Sequence, residues 1–201
     1  MNWRKAQWQD PFYKAAQGSH YRARSAFKLL EINDKFNIFR ARSTVIDLGC
    51  APGSWMQVAA EKGASFIAGI DIQKMQPIKN THFGHLDFLD TDAINKFLLE
   101  INSPSKFDLV LSDIAPNISG IRDHDQARSI ELVRQVLVFA TDRLSKDGFL
   151  VIKTFEGSGM DSLLKKMAKV SVKFFKPKAS RSDSREIYLI IQGQLDQFLF
   201  P

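Results

Sequence analysis

The run Val-Ile-Asp-Leu-Gly-Cys-Ala-Pro-Gly-Ser-Trp at 45–55 places one carboxylate, Asp47, and two glycines, Gly49 and Gly53, between an apolar strand and a helix-forming stretch. Glycine lets the backbone come close to a ligand and take positive φ, and an acid at a strand's carboxyl end accepts hydrogen bonds from an amine or hydroxyl. A dinucleotide site would want G-x-G-x-x-G over a pyrophosphate. Here Pro52 removes an amide that could bind phosphate, and Asp47 repels anions. The pattern suits a neutral or cationic nucleoside ligand, of which S-adenosylmethionine is one. Asp71 ends a second strand twenty-four residues after Asp47, where a doubly wound fold sets an acid against ribose hydroxyls. Asp87 follows the next short strand and can accept from an adenine amine. Each has a plainer alternative: Asp71 as a turn former, Asp87 as a helix cap, and Trp55, a candidate wall of the site, as core.

A second group of reactive types sits at three other predicted strand boundaries: 112–117 (Ser-Asp-Ile-Ala-Pro-Asn), 152–155 (Ile-Lys-Thr-Phe) and 184–188 (Ser-Arg-Glu-Ile-Tyr). Lys153 follows four apolar residues, so it is partly buried and needs either a partner or a snorkelling stem. His82 and His85, near Asp87, do not make a metal site. Residues three apart on a strand point to opposite faces, and no thiolate cluster supports them.

The elements that must position these groups alternate. Buried, β-branched strands are predicted at 44–48, 66–71, 107–112 and 149–155, separated by helices from 53 to about 62, between 92 and 101, and over 126–144. Asp147-Gly148 reads as a turn. A helix is predicted from 161 to about 170, then an antiparallel pair at 172–175 and 187–192 joined by a basic loop. Residues 19–36 form an appended helix with Ala26, Leu29, Leu30 and Phe36 inward and Arg22, Arg24 and Lys28 displayed elsewhere. The fold class is α/β, Rossmann-like: a mostly parallel sheet with a final antiparallel strand, helices on both faces and its ligand beyond the carboxyl ends of the strands.

The 201 residues, 44% of them hydrophobic, suit a single domain with a basic helical extension over about 1–42. Cys50 is the lone cysteine and no run of eighteen apolar residues occurs, which points to a reducing, cytoplasmic setting without membrane insertion. Residues 1–42 hold nine Lys/Arg and three Asp/Glu, 43–164 eleven and sixteen, and 165–201 eight and three. Two basic flanks around an acidic middle favour a polyanionic partner, with Arg22, Arg24, Lys176, Lys178, Arg181 and Arg185 as phosphate contacts and Tyr21 as a stacking ring. Phe27 reads as core.

With these motifs in order, the chain resembles the FtsJ/RrmJ-type RNA ribose 2′-O-methyltransferases over about 21–192. The resemblance is carried by Tyr-Arg-Ala-Arg-Ser-Ala-Phe-Lys-Leu at 21–29, the turn at 47–55, and the segments 112–117, 151–155 and 184–188. It implies a Rossmann-like S-adenosylmethionine-dependent fold, a catalytic set of Lys28, Asp113, Lys153 and Glu186, and cofactor contacts from Gly53, Trp55, Asp71, Asp87 and Asp113. These join Asp47, Gly49 and Pro52 of the turn. Cys50 and Ser54 replace a second alanine and a second glycine common in bacterial ribosomal members; both are compatible with the turn, Ser54 as a helix N-cap.

A ribose hydroxyl must lose its proton as it attacks a sulfonium methyl. Desolvation and a second cation both disfavour the charged form of a lysine, so Lys153 is expected to be the base with Lys28 as its cationic neighbour. Asp113 would orient the amine and Glu186 would hold Lys28 or the ribose. The implied substrate is a uridine of large-subunit (23S) ribosomal RNA, with the enzyme a monomer. A tRNA anticodon-loop ribose is the alternative. A small-molecule methyltransferase would not need the basic flanks, and a non-catalytic ribosome-assembly factor would not need the four-residue set.

Overall fold

A computed structural model of the chain describes residues 18–116, 120–157, 160, 171–181, 184–193 and 195. The helix predicted over 161–170, and Asn117 of the third motif, lie outside the described residues. The elements run α1 (Ser25–Phe36), β1 (Thr44–Leu48), α2 (Ser54–Glu61), β2 (Phe66–Asp71), β3 (His82–His85), α3 (Thr91–Glu100), β4 (Phe107–Ser112), α4 (Arg122–Arg143), β5 (Leu144–Phe155), β6 (Val172–Phe175) and β7 (Glu186–Gln192). They build one seven-stranded sheet in the order β3-β2-β1-β4-β5-β7-β6. The pairs from β3 to β5 are parallel, and β7 is antiparallel to both β5 and β6. This is the mostly parallel, Rossmann-like sheet with helices on both faces that the alternation predicts.

Because a strand points successive side chains to opposite faces, each strand feeds two cores. Ile46, Leu48, Ile70, Val110, Leu150, Ile152 and Leu189 pack with α3 and α4 through Ile94, Leu98, Val133 and Leu137. Val45, Ile67, Leu109, Leu111, Val151, Tyr188 and Ile190 pack with α1 and α2 through Ala26, Leu29, Ile32, Trp55 and Met56. The direction of strand order reverses between β1 and β4, where Leu48 pairs with Ser112, and that reversal opens a crevice beyond the carboxyl ends.

Two local expectations are revised, and the alternative of Asp87 as a helix cap falls away. Helix α1 starts at Ser25 rather than 19, because the preceding segment is tied to α2: Gln57 accepts from Arg22 N at 2.9 Å and donates to His20 O at 2.8 Å. Asp147-Gly148 does not separate two elements. Strand β5 begins at Leu144 opposite Phe107, slips register, and resumes at Phe149 opposite Leu109, so the two residues sit in a bulge whose Gly148 carbonyl accepts from Gly193 N at 3.0 Å. Asp87 does not cap α3. Asp90 does, accepting from Ala93 N at 3.0 Å, while Asp87 turns back onto Leu89 N, also at 3.0 Å. Asp90→Ala is therefore expected to cost about 1 kcal/mol of stability with unchanged activity, as read by urea unfolding beside an activity assay.

Candidate active site

Asp47 ends on the face of β1 that packs toward α1 and α2, and it is 1% exposed. Neither of its carboxylate oxygens finds a hydrogen-bond partner among the described residues. Burial, then Asp113 and then Asp71 push its carboxyl well above the ordinary range. A buried carboxylate without a partner is costly, which marks a place that an external donor, above all a cation, would complete. The glycine turn beside it is shaped by contact. Gly49, at φ 73°, accommodates no side chain, since a Cβ would lie 2.2 Å from Ile114 Cγ1. Gly53, at φ 102°, leads into α2 beneath Ile78 and Met75, and a Cβ there would lie 2.6 Å from Ile78 Cδ1.

Asp71 closes β2 and fastens this turn: Oδ2 accepts from Ala51 N at 2.8 Å and Oδ1 from Gln73 N at 2.7 Å. It is thus a turn former as well as an acid at the crevice. Gly53, not Ser54, occupies the N-cap of α2, and Ser54 instead lies buried with its hydroxyl 2.7 Å from that of Ser25. Trp55 is 2% exposed; its Nε1 donates to Ser25 O at 2.8 Å and its ring tilts against Tyr188. The Trp55 ring is core, leaving only its backbone for a ligand. Cys50 is buried under Gly69, with its thiol pushed up by burial, then by Asp47 and Asp71. His82 stacks on Phe66, and His85 Nε2 lies 2.9 Å from Ile72 O.

The second constellation assembles around a cleft of about 350 Å³ lined by Arg24, Ala115, Lys153, Phe155, Arg181, Ser184 and Glu186. Two ion pairs form there. Lys153 Nζ lies 3.0 Å from Asp113 Oδ1 and also donates to the Asp113 carbonyl. Lys28 Nζ lies 2.5 Å from Glu186 Oε1, with only 7% and 13% of the two side chains exposed. Lys28 is therefore buried, contrary to its expected display away from the core. Burial raises the Glu186 carboxyl, but Lys28, the nearby Ser180 and Lys153 outweigh it and hold Glu186 below the ordinary carboxylate range.

Antiparallel pairing makes this arrangement possible. Lys153 lies opposite Tyr188 and Phe155 opposite Glu186, so β7 brings its acid to the end of β5 that carries the lysine. Tyr188, which sequence reasoning left without a role, is fully buried and donates to Asp113 Oδ1 at 2.6 Å. Desolvation, then Asp113 and Glu186, raise its phenol, so it remains a donor. The signal for it was a tyrosine two residues after Glu186, on the same face of the strand.

The FtsJ-like methyltransferase family model matches residues 21–194. The chain belongs to this family. It is 42% identical over 193 residues to the ribosomal RNA large subunit methyltransferase E of Caulobacter vibrioides, covering 95% of this chain and 84% of that one. The protein of the same name from Methanocaldococcus jannaschii is 43% identical over 190 residues, covering 90% and 77%. In structure the chain resembles a protein described as a ribosomal RNA methyltransferase of Plasmodium falciparum, with TM-score 0.79 and 31% identity over 87% of this chain and 99% of that one.

Within this methyltransferase frame, Arg22, Lys176 and Arg185, expected to face phosphate, are engaged with the protein's own carbonyls. Arg22 donates to Pro52 O at 3.0 Å, Gln76 O at 2.5 Å and Pro77 O at 2.8 Å, stapling the glycine turn to the loop after β2. Arg185 reaches Glu156 O and Gln126 Oε1, and Lys176 reaches Ser184 O at 2.7 Å. Tyr21 is likewise engaged, bonded to Glu61 and edge-on to Phe27, which is half-buried. Arg22→Ala is expected to weaken methyl-donor binding about tenfold, as the loss of hydrogen bonds from a charged donor implies, measured by calorimetric titration. The fold raises the Asp47 carboxyl above its ordinary value of 3.8, so the native state binds that proton more tightly than the unfolded chain does. The stability this contributes is complete below the ordinary value and is lost as pH rises through the raised one. Asp47→Asn is expected to abolish that slope, gaining stability over the donor-free wild type as pH rises above the ordinary carboxylate value of 3.8, while losing donor affinity. Urea unfolding at stepped pH, with titration of the donor, checks both.

Proposed function

We propose that this chain transfers a methyl group from S-adenosylmethionine to a ribose 2′-oxygen in RNA, at a uridine of large-subunit (23S) ribosomal RNA. The single observation that carries this reading is the double ion pair, Lys153 with Asp113 and Lys28 with Glu186, beside a buried, unpartnered Asp47. The relatives' names favour a large-subunit ribosomal RNA over a tRNA. The chain is read as one domain with a basic helical extension over about 1–42, of which 1–17 lie outside the described residues and Ser25–Phe36 is helical, acting as a cytoplasmic monomer.

The donor set fits the cofactor. Asp47 would accept from the ammonium of its methionine portion, Asp71 from ribose hydroxyls and Asp87 from the adenine amine, with Gly49, Pro52, Gly53 and the Trp55 backbone forming the close wall. When bound, S-adenosylmethionine supplies an electrophilic methyl group carried on a sulfonium. The residues of the chain do the rest. An ammonium has three donors, and Asp113 takes two from Lys153, leaving one position at Nζ for the ribose oxygen. In the neutral amine that position carries the lone pair that receives the 2′-hydroxyl proton. Asp113, held by Tyr188, fixes where Nζ stands, while Glu186 pairs Lys28 beside it and supplies local charge balance. Arg24, Lys178 and Arg181 are read as phosphate contacts that position RNA without reading its bases.

Lys153→Ala is expected to lower turnover by about 10² to 10⁴ with S-adenosylmethionine affinity retained. Mapping 2′-O-methyl groups in total RNA with and without the gene should show one missing mark in large-subunit ribosomal RNA. A mark missing from tRNA instead would overturn the substrate assignment, and near wild-type turnover of the variant would overturn the role of Lys153.

A further inference from the structure

Glu31 lies one turn beyond Lys28 on α1 and takes no part in the chemistry above. Its two carboxylate oxygens reach across the molecule to consecutive amides of the β6–β7 connection: Lys178 N donates to Oε2 at 2.7 Å and Ala179 N to Oε1 at 2.8 Å. Adjacent amides converging on one anion form a backbone nest, here filled by a side chain. The nest belongs to a tight turn, with Ser180 N donating to Pro177 O at 3.0 Å and Ala179 fully buried.

The end of this turn borders the cleft. Ser180 Oγ is buried next to Glu186 and helps to hold that carboxyl below its ordinary range. Arg181 lines the cleft with Lys153, Phe155 and Glu186. The same helix therefore holds both this connection, by Glu31 on the turn, and the start of β7, by Lys28 on Glu186. The Lys28 grip joins the proposed catalytic set; the Glu31 grip holds the segment that would meet the acceptor.

We infer that Glu31 is a positioning residue for the RNA half of the site: it latches the turn at 177–181 to α1 and thereby presents Arg181 to the phosphate that flanks the ribose. This rests on the reading of the site as an RNA 2′-O-methyltransferase. Hydrogen bonds to a charged acceptor are stronger than neutral ones, and two from successive amides fix orientation as well as distance. Unlatched, the turn would still be joined to the sheet through β6 and β7, so RNA binding and not the methyl-donor pocket should suffer.

The test uses the full chain with large ribosomal subunits isolated from cells lacking it. Glu31→Leu removes both acceptors; Glu31→Gln keeps the shape and one acceptor, and carries the same test if the leucine variant does not fold. The latch is read by hydrogen exchange at the Lys178 and Ala179 amides, expected to quicken in both variants. KM for the subunits should rise about tenfold in Glu31→Leu and by less in Glu31→Gln, with kcat and S-adenosylmethionine affinity close to wild type. Unchanged exchange at the two amides, or an unchanged KM in a chain that does methylate the subunits, overturns the role of Glu31 alone. A wild-type chain that neither binds nor methylates them overturns the functional reading and this role with it. A loss of donor affinity equal to the loss of RNA affinity would make Glu31 a general structural residue and also overturn the proposal.

Discussion

Four charged side chains withdrawn from water around one cleft can coexist only if each meets an opposite charge. Lys28, Asp113, Lys153 and Glu186 meet this condition as two pairs. Each pair joins elements distant in sequence: α1 to β7, and the end of β4 to β5. The antiparallel insertion of β7 beside β5 is what allows it, because a parallel strand there would carry Glu186 to the other end of β5, away from Lys153. The sheet topology and the chemistry are therefore one constraint seen at two scales.

Asp47 is the exception that gives the site its direction. It is buried as deeply as the core around it, yet its oxygens have no partner among the described residues, and its acidic neighbours deepen the cost. A group so placed lowers the stability of the donor-free protein in exchange for affinity toward a cationic donor. Asp71 fastens the adjacent turn through Ala51, so the protein itself holds the turn in shape. The result is a site with two unlike halves, one acidic and incomplete, the other ionically balanced.

The cations divide in a similar way. Arg22, Lys176 and Arg185 satisfy carbonyl oxygens in segments without regular structure, where backbone groups would otherwise lack partners. Arginine suits this task because its planar fork reaches several carbonyls at once, as Arg22 does with three. Charge counted along the chain cannot separate these residues from those that would meet a polyanion, since both uses demand the same side chains on the same basic flanks.

Periodicity and residue type determined the order of strands and helices and set Asp47 and Asp71 at strand ends, because burial on a pleated sheet leaves its alternation in the sequence; the grouping of Lys28, Asp113, Lys153 and Glu186 was implied by the family resemblance. Local chemistry was less legible where two acids compete, as when Asp90 rather than Asp87 caps α3, or where a neighbouring strand absorbs a turn signal, as at Asp147-Gly148. Only the tertiary structure decided that Lys28 is buried against Glu186, that Trp55 is core, that Tyr188 braces Asp113, and that Arg22 staples a loop. Each of those depends on partners some thirty to one hundred and sixty residues away, and the sequence pattern of one segment carries no record of which distant segment will come to lie against it.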